Sequence, residues 1–293
     1  MESLKSSEQA QQIKSADMEE LRRLIASLLK FNTSQYTDSF ILRRVNIRLR
    51  VKNISSISEY NLLLAKDIAE RDLLKKELTI HVTHFFRDFS AYSAFAKDAI
   101  PIIFEAKKNS SKKTIKILSA GGSTGEEAYS IAICFAEAMR ESNFKFNVNI
   151  ISCDRDDATI EKAKISVYEE SQFKETPPEY VARYFSKFND EKTYYPIDLI
   201  RKMVQFVKCD LLLYDIESGY DAIFCRNTVI YFNRHAKEIL YSHFYDCLNE
   251  PGFLILGKTE LLAGRAKEQF SIFNSVERIY KKENIQAAAN NNL

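Results

Sequence analysis

No glycine occurs in the first 120 residues of this 293-residue chain, and three of its seven then fall within five positions, at Gly121, Gly122 and Gly125. Tight hairpin turns draw on glycine, so a long stretch without one suits a helical bundle better than a hairpin-rich sheet. The sudden cluster marks a place where the backbone turns sharply and lets a neighbour come close. The chain therefore reads as a helical first part and a second part organised around a glycine turn.

Hydrophobic periodicity fills in this division. Residues 18–30 carry Leu21, Ile25, Leu28 and Leu29 at helical spacing. A second helix is expected after Asp38, with Ile41, Leu42, Val45 and Leu49 on its apolar side, and shorter ones over 58–65 and 71–78. Another begins near residue 90, with Pro101 inside or just beyond it, and leads to a lysine-rich connection over 107–113. From there short apolar runs at 114–119, 148–153, 204–207, 222–225, 253–256 and 278–281 alternate with helical stretches from 126, 157 and 235. That alternation predicts a doubly wound, Rossmann-like α/β domain. The aromatic-rich interval 166–202 breaks the rhythm and reads as a small inserted subdomain. The expected organisation is a polar segment at 1–17, a helical domain at 18–89, a linking helix and connection at 90–113, the α/β domain at 114–283 and a polar tail at 284–293.

Composition narrows the setting. No run approaches the roughly 20 apolar residues of a membrane span, and the polar start lacks the apolar core of a secretion signal, so a cytoplasmic protein without membrane insertion is expected. Cys134, Cys153, Cys209, Cys225 and Cys247 are scattered and never form a Cys-x-x-Cys pair, which fits free thiols in a reducing compartment. The histidines His81, His84, His235 and His243 have no cysteines or Glu-x-x-His partner beside them, so no metal is expected. A formal net charge of +2 gives no reason to invoke nucleic acid.

The glycine turn lies between a strand and a helix, in Ala120-Gly-Gly-Ser-Thr-Gly-Glu-Glu-Ala-Tyr-Ser130. It lacks the Gly-x-Gly-x-x-Gly of dinucleotide sites, and no Lys-Ser/Thr follows it as in a P-loop. Glu126 and Glu127 repel phosphates but suit the ammonium group of an amino acid. The second strand ends in Asp154, placed to accept bonds from two ribose hydroxyls, with Asp156 close behind as the better helix cap. A nucleoside without phosphate, joined to an amino acid, describes S-adenosylmethionine.

Four stretches give this reading a family. Ser119-Ala-Gly-Gly-Ser-Thr-Gly-Glu-Glu-Ala-Tyr-Ser-Ile131, Ile223-Phe-Cys-Arg-Asn-Thr-Val-Ile-Tyr-Phe-Asn233, Thr83-His-Phe-Phe-Arg87 and Gly252-Phe-Leu-Ile-Leu-Gly-Lys-Thr-Glu260 resemble the motifs of the CheR-type chemotaxis-receptor methyltransferases. The resemblance implies an enzyme that transfers a methyl group from S-adenosylmethionine to receptor glutamates, leaving S-adenosylhomocysteine. It implies cofactor roles for Gly121, Ser123, Glu126 or Glu127, Asp154, Asp210, Leu211, Arg226 and Asn227. Thr83 and Arg87 would also contact the cofactor, Thr83 lining the cleft, and Arg87, Arg226 and Tyr231 would serve the methyl-transfer centre. Two departures stand out: His81 replaces the usual Asn two residues before the threonine, at a position implied to touch the cofactor, and Lys258-Thr259 replaces His-Ser.

The second helix carries Arg43, Arg44, Arg48 and Arg50 against a single carboxylate, Asp38. A basic helix of this kind is expected to attract the glutamate-rich cytoplasmic helices of the receptors, with the enzyme acting as a monomer. Two other readings remain open: a cofactor-binding signalling module, and a methyltransferase of the same fold with another protein substrate.

Overall fold

Three of the N-terminal helices begin on a side chain that caps them. Thr37 accepts from the Phe40 amide at the start of α2 (Asp38–Lys52), Ser56 from Glu59 at α3 (Ile57–Lys66), and Asp67 from Glu70 at α4 (Ile68–Leu78), satisfying donors that a helix start leaves open. They follow α1 (Glu2–Leu29). The computed structural model describes residues 2–79, 83–108, 110, 113–188, 192–213 and 216–282, the side chains of 2–15 apart. Two units emerge, one from the residues up to 80 together with Tyr231–Ala236, the other from the remainder.

In the smaller unit, Leu21, Ile25, Ile41, Val45, Tyr60, Leu64 and Leu74 are fully buried, as the helical spacing requires. Helix α1 starts at Glu2, so the polar segment expected ahead of it is instead its first turns; the stretch holds neither glycine nor proline to stop a helix. A second correction concerns Arg48, expected on a docking face. Its guanidinium is buried against the wholly buried Glu70, with Nε–Oε1 and Nη2–Oε2 both 2.8 Å. Tyr60 donates to the same carboxylate at 2.8 Å and Lys52 approaches it to 3.3 Å. Although burial alone would raise it, the bonds from Arg48 and Tyr60 hold the Glu70 carboxyl below its ordinary range.

The larger unit opens with one helix in three parts, α5 (Phe89–Ala94), a π-helical turn (Phe95–Ala99) and α6 (Ile100–Lys108). The wide turn explains how the helix passes Pro101, which has no N–H and whose ring crowds the carbonyl four residues back. Tyr92, Phe95, Ile100 and Phe104 lie in the main core, so this stretch, expected as a link, is part of the α/β body. The chain continues through β1 (Thr114–Ala120), α7 (Glu126–Ser142), β2 (Asn147–Asp154), α8 (Asp157–Ile165), β3 (Tyr168–Glu169), α9 (Pro178–Tyr184), β4 (Phe185–Lys187), β5 (Thr193–Pro196), α10 (Asp198–Arg201) and β6 (Val204–Lys208). It ends with β7 (Tyr220–Cys225), α11 (Arg234–Cys247), β8 (Leu248–Leu256), α12 (Ala266–Gln269), β9 (Phe270–Asn274) and β10 (Ile279–Lys282).

The main sheet has the order β6-β2-β1-β7-β8-β10-β9. Its first five strands are parallel, and β10 runs antiparallel between β8 and β9. The order reverses between β1 and β7, which opens a crevice at their carboxyl ends. The insertion forms its own sheet, β3-β5-β4, whose aromatics gather round Phe85: Phe173 stacks on it at 4.5 Å and Phe185 meets it edge-on at 4.9 Å.

Removing Arg48 strands the Glu70 charge. Arg48→Ala should destabilise the protein by about 3 kcal/mol, the low end of the range for breaking a buried pair because Lys52 remains, as read by denaturant unfolding. A carboxyl held below its ordinary range contributes stability at neutral pH that is lost as pH falls through its folded value, so this difference should shrink in acid.

Candidate cofactor and active site

The glycine turn is shaped by what lies against it. The amides of Gly121 and Gly122 both donate to the Cys153 carbonyl at the end of β2, at 2.9 and 3.0 Å. Gly121 has φ +79°, and a Cβ there would come within 2.4 Å of the Thr228 hydroxyl. At Gly122 a Cβ would come within 2.1 Å of the Ser152 hydroxyl. Ser123 follows, also with positive φ, and its amide reaches Asp154 Oδ2 at 3.2 Å. The Ser123 and Ser152 hydroxyls are buried and find no partner among the described residues, an arrangement that asks for a polar ligand.

Asp154 is half-buried and takes a second bond from the Asp156 amide at 3.1 Å. The capping of α8 falls to Asp156, which accepts from Thr159, so Asp154 keeps acceptor capacity for a ligand. Cys209 closes on the Asp154 carbonyl at 3.0 Å, and Asp210 folds the following turn by accepting from the Leu212 amide, with Leu211 buried beside it. The glycine turn, Asp154 and the 209–211 turn thus meet at one edge of the sheet.

The two adjacent glutamates separate. Glu126 is fully buried and committed, accepting from Thr124 at 2.7 Å and from the Gln172 amide. Glu127 accepts from Ser119 at 2.7 Å and lies in the field of Arg226 and Arg87. Enclosure by protein pushes its carboxyl up to about 7 despite these cations. A carboxyl so placed lacks a close cation, and an amino-acid ammonium group would supply one.

Thr83 to Asp88 forms a laced segment. The Phe86 amide donates to Ser130 Oγ at 2.9 Å and the Phe85 amide to the Gln172 carbonyl at 2.9 Å. Glu175 holds His84 Nε2 at 2.9 Å and the Asp88 amide at 2.8 Å. Phe86 and Asp88 both have positive φ, at 53° and 58°, a conformation that needs such support in non-glycine residues. Arg226 completes the lacing, donating from Nη1 to the Arg87 carbonyl at 2.8 Å and from Nη2 to Asp88 Oδ2 at 2.9 Å, with its guanidinium 5.1 Å from the Tyr92 ring centroid. Its side chain is 2% exposed. Arg226, expected at the cofactor and the methyl-transfer centre, is buried and engaged, and it fixes the turn that carries the half-buried Arg87. Thr83 is half-buried at the head of this segment, and His81 lies outside the described residues.

Asn227 is left-handed at φ 58°, and its amide donates to Glu260 Oε2 at 2.9 Å. Glu260 was not singled out from sequence; its place as the last residue of the Gly252–Glu260 motif was the available signal. Tyr231 falls in the smaller unit. Its carbonyl accepts from Thr37 at 3.1 Å, its ring lies 4.7 Å from that of Phe40, and Arg43 stands 5.8 Å from its centroid. Arg43 and Arg50 are exposed and Arg44 is half-buried over Phe40.

Among the described residues no group of three or more His, Cys, Asp or Glu could hold a metal, and no helix is long and apolar enough to cross a membrane. The strand-order reversal, with a glycine turn after β1 and an acid at the end of β2 beside it, is the arrangement of an S-adenosylmethionine-dependent methyltransferase. The comparisons agree. Residues 81–279 match the CheR methyltransferase SAM-binding domain and residues 16–79 the CheR methyltransferase all-alpha domain, so the chain belongs to the CheR methyltransferase family. It is 28% identical to the chemotaxis protein methyltransferase of Borreliella burgdorferi, over 86% of this chain and 91% of that one. Identity to the protein of the same name from Listeria innocua is 28%, over 86% and 93%, and to that of Escherichia coli 28%, over 75% of each.

A cofactor ammonium group placed at Glu127 would be met only by its ionised form. Affinity for S-adenosylhomocysteine should therefore fall roughly fivefold from pH 7 to pH 6, and by close to tenfold per unit below that, with proton release on binding. Glu127→Gln should bind weakly and with a flat pH profile; calorimetry in two buffers reads both. Because the folded-state value is raised, the ligand-free fold should lose stability as pH rises through the range up to about 7.

Proposed function

We propose that this chain transfers a methyl group from S-adenosylmethionine to glutamate side chains of chemotaxis receptors, forming methyl esters, and that it does so in the cytoplasm. The observation that carries this reading is a segment that presents Arg87 while its described histidine, His84, is already engaged. His84 is bound to Glu175, and Arg87 stands on a turn fixed from behind by Arg226. An amine acceptor must lose a proton before methylation, whereas a glutamate is already ionised at pH 7. The names of the relatives, chemotaxis protein methyltransferases matched over most of both chains, support the same substrate.

The residues fit the cofactor. Asp154 would hold the ribose, Glu127 the ammonium group, and Ser123, Asp210, Leu211 and Asn227 would complete the site. When bound, the cofactor supplies a sulfonium-activated methyl group, and the acceptor oxygen gains a bond to carbon as the sulfur–methyl bond breaks. The chain's own work is to bind, orient and exclude water. Arg87, with its planar fork, is assigned to one acceptor oxygen, leaving the other free to attack. Thr83 is assigned to the cofactor cleft by family resemblance.

Receptor docking is assigned to α2 without Arg48. Arg43 and Arg50 flank a depression of about 310 Å³ that Ser39, Leu42, Asn46 and Ile47 also line. Its mix of apolar floor and cationic edges suits an acidic amphipathic helix.

Incubation with labelled cofactor and receptor fragments, followed by base treatment, should release labelled methanol. Cofactor binding without ester formation would leave only a binding module. Arg87→Ala should cut turnover about a hundredfold, the scale of a 1 Å misplacement, while cofactor affinity stays within a few-fold. Arg43→Glu with Arg50→Glu should raise the Michaelis constant for receptor and weaken the salt dependence of turnover; unchanged constants at low salt would leave α2 as scaffold.

A further inference from the structure

We infer that Glu260 is a positioning residue for the cofactor site, its buried carboxylate setting the backbone of residues 227–229 and, through Thr228, the floor of the glycine turn. The side chain is fully inside the protein, the residue being 2% exposed. It accepts three backbone N–H bonds, from Asn227 at 2.9 Å, Val229 at 3.0 Å and Gly257 at 2.6 Å. No ion pair among the described residues reaches it. Three converging donors call for a group that only accepts, which a carboxylate is and an amide is not.

The clamp joins the two loops that leave the adjacent strands β7 and β8, paired up to Cys225 and Leu256. Asn227 between them is left-handed, and the bond to its amide supports that conformation. Thr228 is thereby directed at the glycine turn, where its hydroxyl lies 3.3 Å from the Ala120 carbonyl and would clash with any side chain at position 121. Gly257 leaves room for the clamp itself: a Cβ there would come within 2.7 Å of Glu260 Oε2 and 3.0 Å of the Asn227 amide. Displacing this carboxylate should therefore reach the cofactor without removing any group that touches it. This effect requires the cofactor to lie at the glycine turn, as proposed above.

Two variants test it from opposite sides. Glu260→Gln keeps the shape and turns a donor toward the amides. Gly257→Ala keeps the carboxylate and pushes it aside. In Glu260→Gln the amide resonances of Asn227, Val229 and Gly257 should move upfield in nitrogen–proton spectra. Affinity for S-adenosylhomocysteine should fall roughly ten- to a hundredfold, the worth of one charge-assisted bond, while kcat at saturating cofactor stays within a few-fold. Gly257→Ala should show the same loss, and it decides the matter if Glu260→Gln does not fold. Wild-type affinity in a folded variant whose amides have moved would overturn the inference, leaving Glu260 a purely structural clamp. Failure of the wild-type protein to bind S-adenosylhomocysteine would instead overturn the cofactor placement beneath it.

Discussion

The site depends on one close approach of backbones. Two successive amides, of Gly121 and Gly122, share the carbonyl of Cys153, and this draws the end of β1 across the end of β2. Any side chain at either glycine would strike Thr228 or Ser152. The approach brings Ser123 to the Asp154 carboxylate and sets the start of α7, with Glu127, beside it. A looser crossing would leave these groups scattered along the sheet edge.

Four buried or half-buried glutamates show how differently one protein can accommodate the same group. Glu70 is matched by an arginine and held below its ordinary range. Glu126, without a cation, is raised by burial and tied to Thr124 and Gln172. Glu260 is also raised by burial, with three amides opposing the rise. Glu127 alone combines enclosure with a carboxyl raised to about 7 at the mouth of a ligand-shaped turn. A carboxyl raised this far with no cation bonded to it is a candidate for a ligand contact, whereas the other three are committed to the fold.

Much of this was legible in the sequence. Glycine placement and the change of period from helix to strand gave the two-part architecture and the parallel strands, because both follow from local backbone demands. The carboxylate at the end of β2 and the turn after β1 were legible for the same reason. Strand β9 was not: its apolar residues run from the buried Phe270 to Ile272, 68% exposed, so they do not mark one buried face. The tasks of Arg48 and Arg226 were also hidden, since their partners Glu70, Asp88 and the Arg87 carbonyl are set by tertiary packing. Charge on a helix can announce a surface or a buried pair, and only the distant partner tells them apart. Gly121, Gly122 and Asp154, by contrast, act through neighbours that sheet topology alone brings near.

The insertion also gains a different standing from its place in the hydrogen-bond network. Gln172 and Glu175, from this subdomain, hold Phe85, His84 and Asp88, and Phe173 and Phe185 enclose the Phe85 ring. Such a subdomain is not an interchangeable cassette. A graft from another protein would have to reproduce this contact surface as well as its own fold, or the turn bearing Arg87 would lose its seat. The insertion is therefore most constrained where it faces residues 84–88.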